Sequence, residues 1–310
     1  MLFAMPSINC CSEAGLNKIL LISLSNIGDA VMTTPVLYEL HLAWPEATID
    51  IVAGQRSQPV FEHCPWRGEI FIKDKKAWLR GYPSLLLELW RTRYDLVVDL
   101  RTDGFAWLLR AGQRRHKESR RRQDRHAIEE HLSVIADLTE PSPDPRTHLW
   151  LSDSNRAFAE RTLDHGNWLA IGPGCGGPEK VWPGDRYGAV IDALSDRFNG
   201  VVMLGGPGDR DYARHVMDSS DTSILDLTGQ TGILEAAAVM ERCELFIGSD
   251  SGLGHLAGAV NTPTLTLFGV GQPHRYRPWQ ERAEWLTGDN KDMGNIHVDA
   301  VLAAARRLLA

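Results

Sequence analysis

Short apolar runs alternate with longer stretches of helical spacing along the whole chain. In the first half, 18–24 (KILLISL), 48–54 (TIDIVAG), 69–72 (EIFI) and 94–100 (YDLVVDL) predict strands. Their β-branched and leucine-rich runs are nearly continuous, as expected for strands covered on both faces. Between the first two, 29–44 places Val36, Leu37, Leu40 and Ala43 at helical spacing, with Pro35 tolerable only near a helix start. An amphipathic helix is predicted over 126–138, with Ile128, Leu132, Ile135 and Ala136 on one face.

Three prolines within 139–148 interrupt the pattern and suit an interdomain segment. Strands then resume at 168–174, 200–208, 223–229, 244–250 and 264–269, separated by helical stretches such as 185–197, 209–218 and 232–242. A final helix is expected over 298–310. This is the βαβ alternation of parallel sheets, so the fold class is α/β, two units with a cleft between them. The expected boundaries are 1–16 for a loose extension, 17–150 and 151–296 for the two units, and 297–310 for the last helix.

Composition narrows the class without choosing a function. At roughly 150 residues per domain, 310 residues fit two domains. No stretch reaches the ~18 consecutive apolar residues of a membrane span. The N-terminus lacks a basic region followed by an apolar core, so no secretory signal is expected. Cys10 and Cys11 are adjacent and Cys64, Cys175 and Cys243 stand alone, which argues against a disulfide scaffold or a CxxC zinc site. A reducing, cytoplasmic location follows. The net charge of −7 is uneven: residues 1–150 carry 19 Lys+Arg against 19 Asp+Glu, and residues 151–310 carry 14 against 21. Within 110–125, eight basic residues face only Glu118 and Asp124. One concentrated basic patch on an acidic protein suits an anionic partner at one place, and not nucleic acid; a solvated, ion-paired surface segment is the plainer alternative.

Three strand ends carry candidate chemistry. After the first strand, SNIGDAVMTTP (25–35) sets Gly28 in a tight turn and Asp29 at or before a helix start, as a reactive carboxylate or simply as the helix cap. The turn lacks the GxGxxG dinucleotide fingerprint, which weakens a nicotinamide dehydrogenase reading. In IGPGCGGPEKVWP (171–183), a glycine-rich loop precedes Lys180, a cation placed for a phosphate oxygen or an ordinary surface lysine; Val181 follows it where a Walker A loop needs Ser or Thr. In GSDSGLGHLAGAV (248–260), Asp250, Ser251 and Gly252 stand where a helix starts, a ready anion site, with His255 on the same face. Capping and core packing would explain the same residues. Glu235, early in the helix after LTGQTG, either faces ribose hydroxyls or favours the helix dipole.

Together, NIGDAVMTTP, HAIEEHL, GPEKVWP, LGGPGD, LTGQTGILEAAAVM and SDSGLGHLAGAVNTPTLTLFG resemble, in order and spacing, the lipopolysaccharide-core heptosyltransferase family over about residues 17–280. The GPEKVWP form looks closer to the enzyme adding the second core heptose. The resemblance implies a GT-B arrangement of two facing Rossmann-like domains and inverting transfer of heptose from ADP-heptose, with no cofactor and no metal. It implies Asp29 as catalytic base, Lys180, Ser251, Gly252 and His255 at the donor diphosphate, Asp250 near the donor sugar and Glu235 at the ribose. The acceptor would be an anionic inner-core glycolipid, reached at the inner face of the inner membrane through peripheral contact, with no nucleic acid involved. On charge alone, Arg114, Arg115, Arg120, Arg121 and Arg122 would bind it, and tryptophans such as Trp78, Trp90 and Trp107 could touch headgroups. Cys175, Gly176 and Gly177 stand where family members often carry hydroxyls, and SDSG replaces the frequent DTG. A nucleotide-sugar epimerase or a noncatalytic sugar-nucleotide-binding protein on the same fold is the alternative.

Overall fold

The computed structural model describes residues 15–73, 81–101, 104–117, 124–140 and 142–310. The first unit is a five-stranded parallel sheet of β1 (Lys18–Ile22), β2 (Thr48–Ala53), β3 (Arg67–Ile72), β4 (Tyr94–Asp99) and β5 (Ala111–His116), ordered β3-β2-β1-β4-β5. In the second unit, β6 (Trp168–Gly172), β7 (Gly200–Met203), β8 (Ile224–Asp226), β9 (Leu245–Ser249), β10 (Thr264–Phe268) and β11 (Ala283–Thr287) are also parallel, ordered β11-β10-β9-β6-β7-β8. Each sheet therefore reverses its winding once, between β1 and β4 and between β6 and β9. Ligands of open α/β sheets bind beyond the carboxyl ends of strands at such reversals. The fold thus has two crevices before any side chain is considered.

The strands follow their burial. Ile19, Leu20, Leu21 and Ile22 of β1 are fully buried, as are Leu245, Phe246 and Ile247 of β9, so central strands read as continuous apolar runs. The edge strands β5 (AGQRRH) and β11 (AEWLT) have no such run, and the hydrophobic pattern does not predict them. One neighbour and backbone pairing suffice at a sheet edge; β5 registers on β4 from Tyr94 opposite Ala111 to Asp99 opposite His116.

The helix expected over 29–44 is two helices, α1 (Ile27–Val31) and α2 (Thr34–Ala43). Threonine hydroxyls make the break: Thr33 Oγ1 donates to the Ala30 carbonyl and Thr34 Oγ1 to that of Val31, both at 2.7 Å. Side chains that bond nearby carbonyls compete with the helical ladder. Pro35 falls in the first turn of α2, where no backbone N–H is needed. Two further helices are not among those expected, α3 (Gly81–Trp90) and the polar α5 (Asp153–Thr162), in which only Ala159 is buried.

The helix expected over 126–138 is shorter, α4 (Ala127–Leu132), and the chain continues in tight turns closed by Val134 N–H on His131 O and Ile135 N–H on Leu132 O. Ile128, Leu132 and Ile135 are buried, but so is Val134, while Ala136 is exposed. The turns rotate the chain off helical spacing. The α4 segment also buries polar residues: His126 and Glu130 meet the other unit, and His131 meets Met32 of its own.

The second unit carries α6 (Gly184–Leu194), α7 (Arg210–Met217), α8 (Ile233–Glu241), α9 (Gly252–Ala259), α10 (Pro273–Tyr276) and α11 (Val298–Leu308). α11 packs on α6 and on β9, β10 and β11. The largest cluster of buried apolar side chains belongs to neither unit alone: it runs from Ile19 and Ile51 through Ile128 and Leu132 to Ala170, Val239 and Phe246.

Two histidines of the α4 segment are held neutral. His126 accepts the Ile128 N–H at Nδ1 and donates from Nε2 to the Arg277 carbonyl across the interface at 3.0 Å. Burial, the main cause, pushes its pKa down from 6.5 to about 3. His131 donates from Nδ1 to Met32 O at 3.2 Å, and burial, with Lys117 nearby, lowers it to about 4. A folded pKa below the unfolded one means that the unfolded chain binds more protons within that window. The stabilisation is complete above about pH 6.5 and is lost as pH falls towards 4 and 3. Each tenfold loss of proton affinity on folding corresponds to about 1.4 kcal/mol. Thermal melts between pH 7 and 4 should show a falling midpoint, and His131→Gln should flatten that slope while lowering the plateau.

Candidate active site

The two crevices face each other across one interface. α1, which follows β1, packs against α9, which follows β9. At the contact Gly28 has no room for a side chain: a Cβ there would lie 2.5 Å from Cδ2 of His255. Gly252 is similar, its Cβ position lying 3.1 Å from Ile27 Cβ. Two glycines therefore let the N-terminal ends of two helices, one from each unit, come together.

A cavity of about 630 Å³ opens at this junction, lined by Asp29, Lys117, Lys180, Asp250, Ser251 and Arg275 among others. A second, of about 450 Å³, is lined by Cys175, Gly205, Asp209, Thr231, Ile233 and Leu253. Asn26, Gly28, Gly176, Ser251 and Gly252 line both, so the two are one continuous cleft.

Asn26, not Asp29, is the cap of α1; Asp29 is the third helical residue, half-buried, and its Oδ2 accepts from Asn26 Nδ2 at 2.8 Å. That single contact leaves the other carboxylate oxygen for the cavity. In the same cavity, Lys180 Nζ donates to Asp250 Oδ2 at 2.8 Å. Burial works against the lysine's charge, but the Asp250 carboxylate more than offsets it and holds the pKa above the ordinary value. Ser251 caps α9 by position only: its side chain makes no capping bond, and its buried Oγ has no partner. An unmet hydroxyl beside the free N–H groups of a helix start is a donor set for an anion. His255 lines the same cavity, and burial pushes its pKa down against the pull of Asp250 and Asp29, so it is a neutral ring.

Asp29, Lys180, Asp250, Ser251, Gly252 and His255 thus converge. The remaining predicted residues lie elsewhere. Glu235 turns back to accept the Gly232 N–H at 2.8 Å, capping α8, and does not line either cavity. Arg114 and Arg115 sit on β5 and are committed within the unit, Arg114 to the Leu109 carbonyl at 2.6 Å and Arg115 to Asp137 at 2.7 Å. This part of the basic run is a strand pinned by its own guanidinium groups, not a free patch. Arg120, Arg121, Arg122 and Trp78 fall outside the described residues.

Three cavity cations go beyond the expected set. Arg101 follows β4 at the sheet's reversal point and donates to Ser25 Oγ at 2.8 Å; strand-end position alone would have flagged it. Lys117 follows β5, inside the basic run. Arg275, only 2% exposed, has no sequence signal. Among the described residues, no group of three His, Cys, Asp or Glu side chains is placed to hold a metal ion.

The model of glycosyltransferase family 9 (heptosyltransferase) matches residues 98–303. The chain belongs to glycosyltransferase family 9. Lipopolysaccharide heptosyltransferase 3 of Escherichia coli is 30% identical over 321 residues, covering 89% of this chain and 93% of that one; its name differs from that of the second-heptose enzyme that GPEKVWP resembles. A glycosyl transferase family 9 structure from Veillonella parvula DSM 2008 superposes with a TM-score of 0.85 at 26% identity, over 96% of this chain and 98% of that one. E. coli heptosyltransferase WaaC with ADP gives 0.77 at 17% identity, over 94% and 99%, a likeness of fold. The family 9 chain is therefore a glycosyltransferase of GT-B arrangement, and the epimerase and noncatalytic readings fall away.

The Gly28–His255 contact gives a direct test. Gly28→Ala forces a methyl group into the imidazole and should cost ~1–3 kcal/mol, read in urea unfolding. Pairing it with His255→Ala should give a loss smaller than the sum of the two single losses, because the clash is removed.

Proposed function

We propose that this family 9 enzyme transfers a heptose from ADP-heptose to an anionic lipopolysaccharide inner-core acceptor, with inversion at the anomeric carbon. One observation carries the reading: a carboxylate from one unit and, from the other, a helix start with an unpartnered hydroxyl and a lysine line a single cleft. The glycine-lined cavity bounded by Ile233 and Leu253 takes the nucleoside. The diphosphate meets Ser251 Oγ, the first N–H groups of α9 and Lys180, and the sugar lies towards Asp250. The acceptor hydroxyl loses its proton to Asp29 as its oxygen attacks the anomeric carbon. The bond from that carbon to the diphosphate oxygen breaks, and the electron pair leaves with ADP. Charge grows on the diphosphate as this happens, where preorganised donors stabilise it most. Attack from one wall and departure from the other is a single displacement, which inverts configuration.

The test is transfer from ADP-heptose to a purified inner-core acceptor, followed by mass spectrometry. Asp29→Asn should lower turnover by ~10²–10⁴-fold with ADP affinity unchanged. Lys180→Met should weaken ADP binding by ~1.5–3 kcal/mol. Full turnover by Asp29→Asn would remove the base from the mechanism.

The acceptor's lipid puts this enzyme at the cytoplasmic face of a membrane. No helix among the described residues is long and apolar enough to cross one. We assign peripheral contact to Trp90, Trp107 and Leu108, exposed by 49%, 62% and 55%. Trp90 Nε1 donates to Leu108 O, and Arg110 donates to Trp90 O, so aromatic and cationic groups form one patch. Trp90→Ala/Trp107→Ala should reduce co-sedimentation with anionic phospholipid vesicles while leaving turnover on a delipidated acceptor intact.

A further inference from the structure

Glu130 is a buried carboxylate with no part in the mechanism above, yet it joins two cations that line the active cavity. Its Oε2 accepts from Arg275 of α10 at 2.7 Å, and its Oε1 lies 3.2 Å from Nζ of Lys117, just after β5. One cation comes from each unit. His126, four residues earlier and the cap of α4, holds the Arg277 carbonyl and packs at a tilt on Trp279 with ring centroids 4.5 Å apart. The α4 segment therefore grips residues 275–279 at two successive turns, through an imidazole and a carboxylate.

Glu130 brings one negative charge to two cations, and a third cation, Arg101, lines the same cavity. Arg101 and Lys117 belong to the unit that carries Asp29, and Arg275 to the unit that carries Lys180 and Ser251. We propose that Glu130 is a positioning residue that fixes Lys117 and Arg275 at a set separation across the domain interface, as a clamp for the carboxylate or phosphate of the acceptor. The inference rests on the acceptor reading above. A carboxylate between two cations holds both only while both oxygens are charged acceptors. In Glu130→Gln one oxygen becomes an N–H donor that faces a cation, so one arm of the clamp is lost while shape is kept.

Steady-state kinetics with an anionic acceptor and with its neutral, dephosphorylated and esterified counterpart separate the possibilities. Glu130→Gln should raise KM for the anionic acceptor roughly tenfold, as expected for disrupted charge pairing, with little change for the neutral one and none in ADP affinity. Hydrogen exchange should accelerate at residues 273–279 of the variant. Arg275→Lys keeps the charge but not the fork, and combining it with Glu130→Gln should add little further loss if one acts through the other. A lowered KM for the anionic acceptor would mean that Glu130 merely neutralises the cations, and equal effects on both acceptors would mean a purely structural role; either overturns the proposal. If the wild-type enzyme transfers nothing from ADP-heptose, the acceptor reading fails instead, and unchanged exchange at 273–279 would still refute the positioning by itself.

Discussion

The active cleft depends on the contact between Gly28 and His255. Neither residue needs unusual chemistry for it. An imidazole lies where a β-carbon would otherwise stand, and the helix starts after β1 and β9 come together as a result. Without that approach, Asp29 and the anion site of α9 would belong to two separate crevices. Glycine is required here for space and not for backbone freedom, since Gly28 has an ordinary helical conformation within α1.

Around this contact the interface is built from neutral imidazoles and matched charges. His126, His131 and His255 are each buried and held below the ordinary histidine range. Keeping them uncharged leaves the positive charge lining the cleft to Arg101, Lys117, Lys180 and Arg275. Asp250 pairs with Lys180, and Glu130 with Lys117 and Arg275, so two carboxylates hold three of those four cations. Each carboxylate keeps a counter-charge beside its cations in a poorly solvated place.

Most of this is legible in the sequence wherever a signal is local. Central strands announce themselves as continuous apolar runs, and the glycine-rich strand ends mark Asp29, Lys180 and the Ser251–Gly252 start of α9. The edge strands β5 and β11 do not, because they bury too little to need hydrophobic side chains, whereas the other two edges, β3 and β8, keep readable apolar runs. Arg114 and Arg115 mislead for a related reason: sequence reports a charge but not the carbonyl or carboxylate that absorbs it. Glu235 leaves two readings open in the sequence, and the local one is visible in the fold. A carboxylate three residues into a helix has a nearby N–H to satisfy, and that need claims it. Arg275 and Glu130 are 145 residues apart in the chain, so only the folded chain pairs them.

The shared apolar cluster, running without a break from β1 to β9, bears on how such enzymes could diversify. A recombination that exchanged one half of the molecule for another would expose a greasy seam on both pieces, and its product would aggregate before it could catalyse. New acceptors are more accessibly reached by altering the rims, where β5, α3 and the segments around them carry little of the common core. The architecture thus favours evolution by retouched borders over evolution by swapped modules.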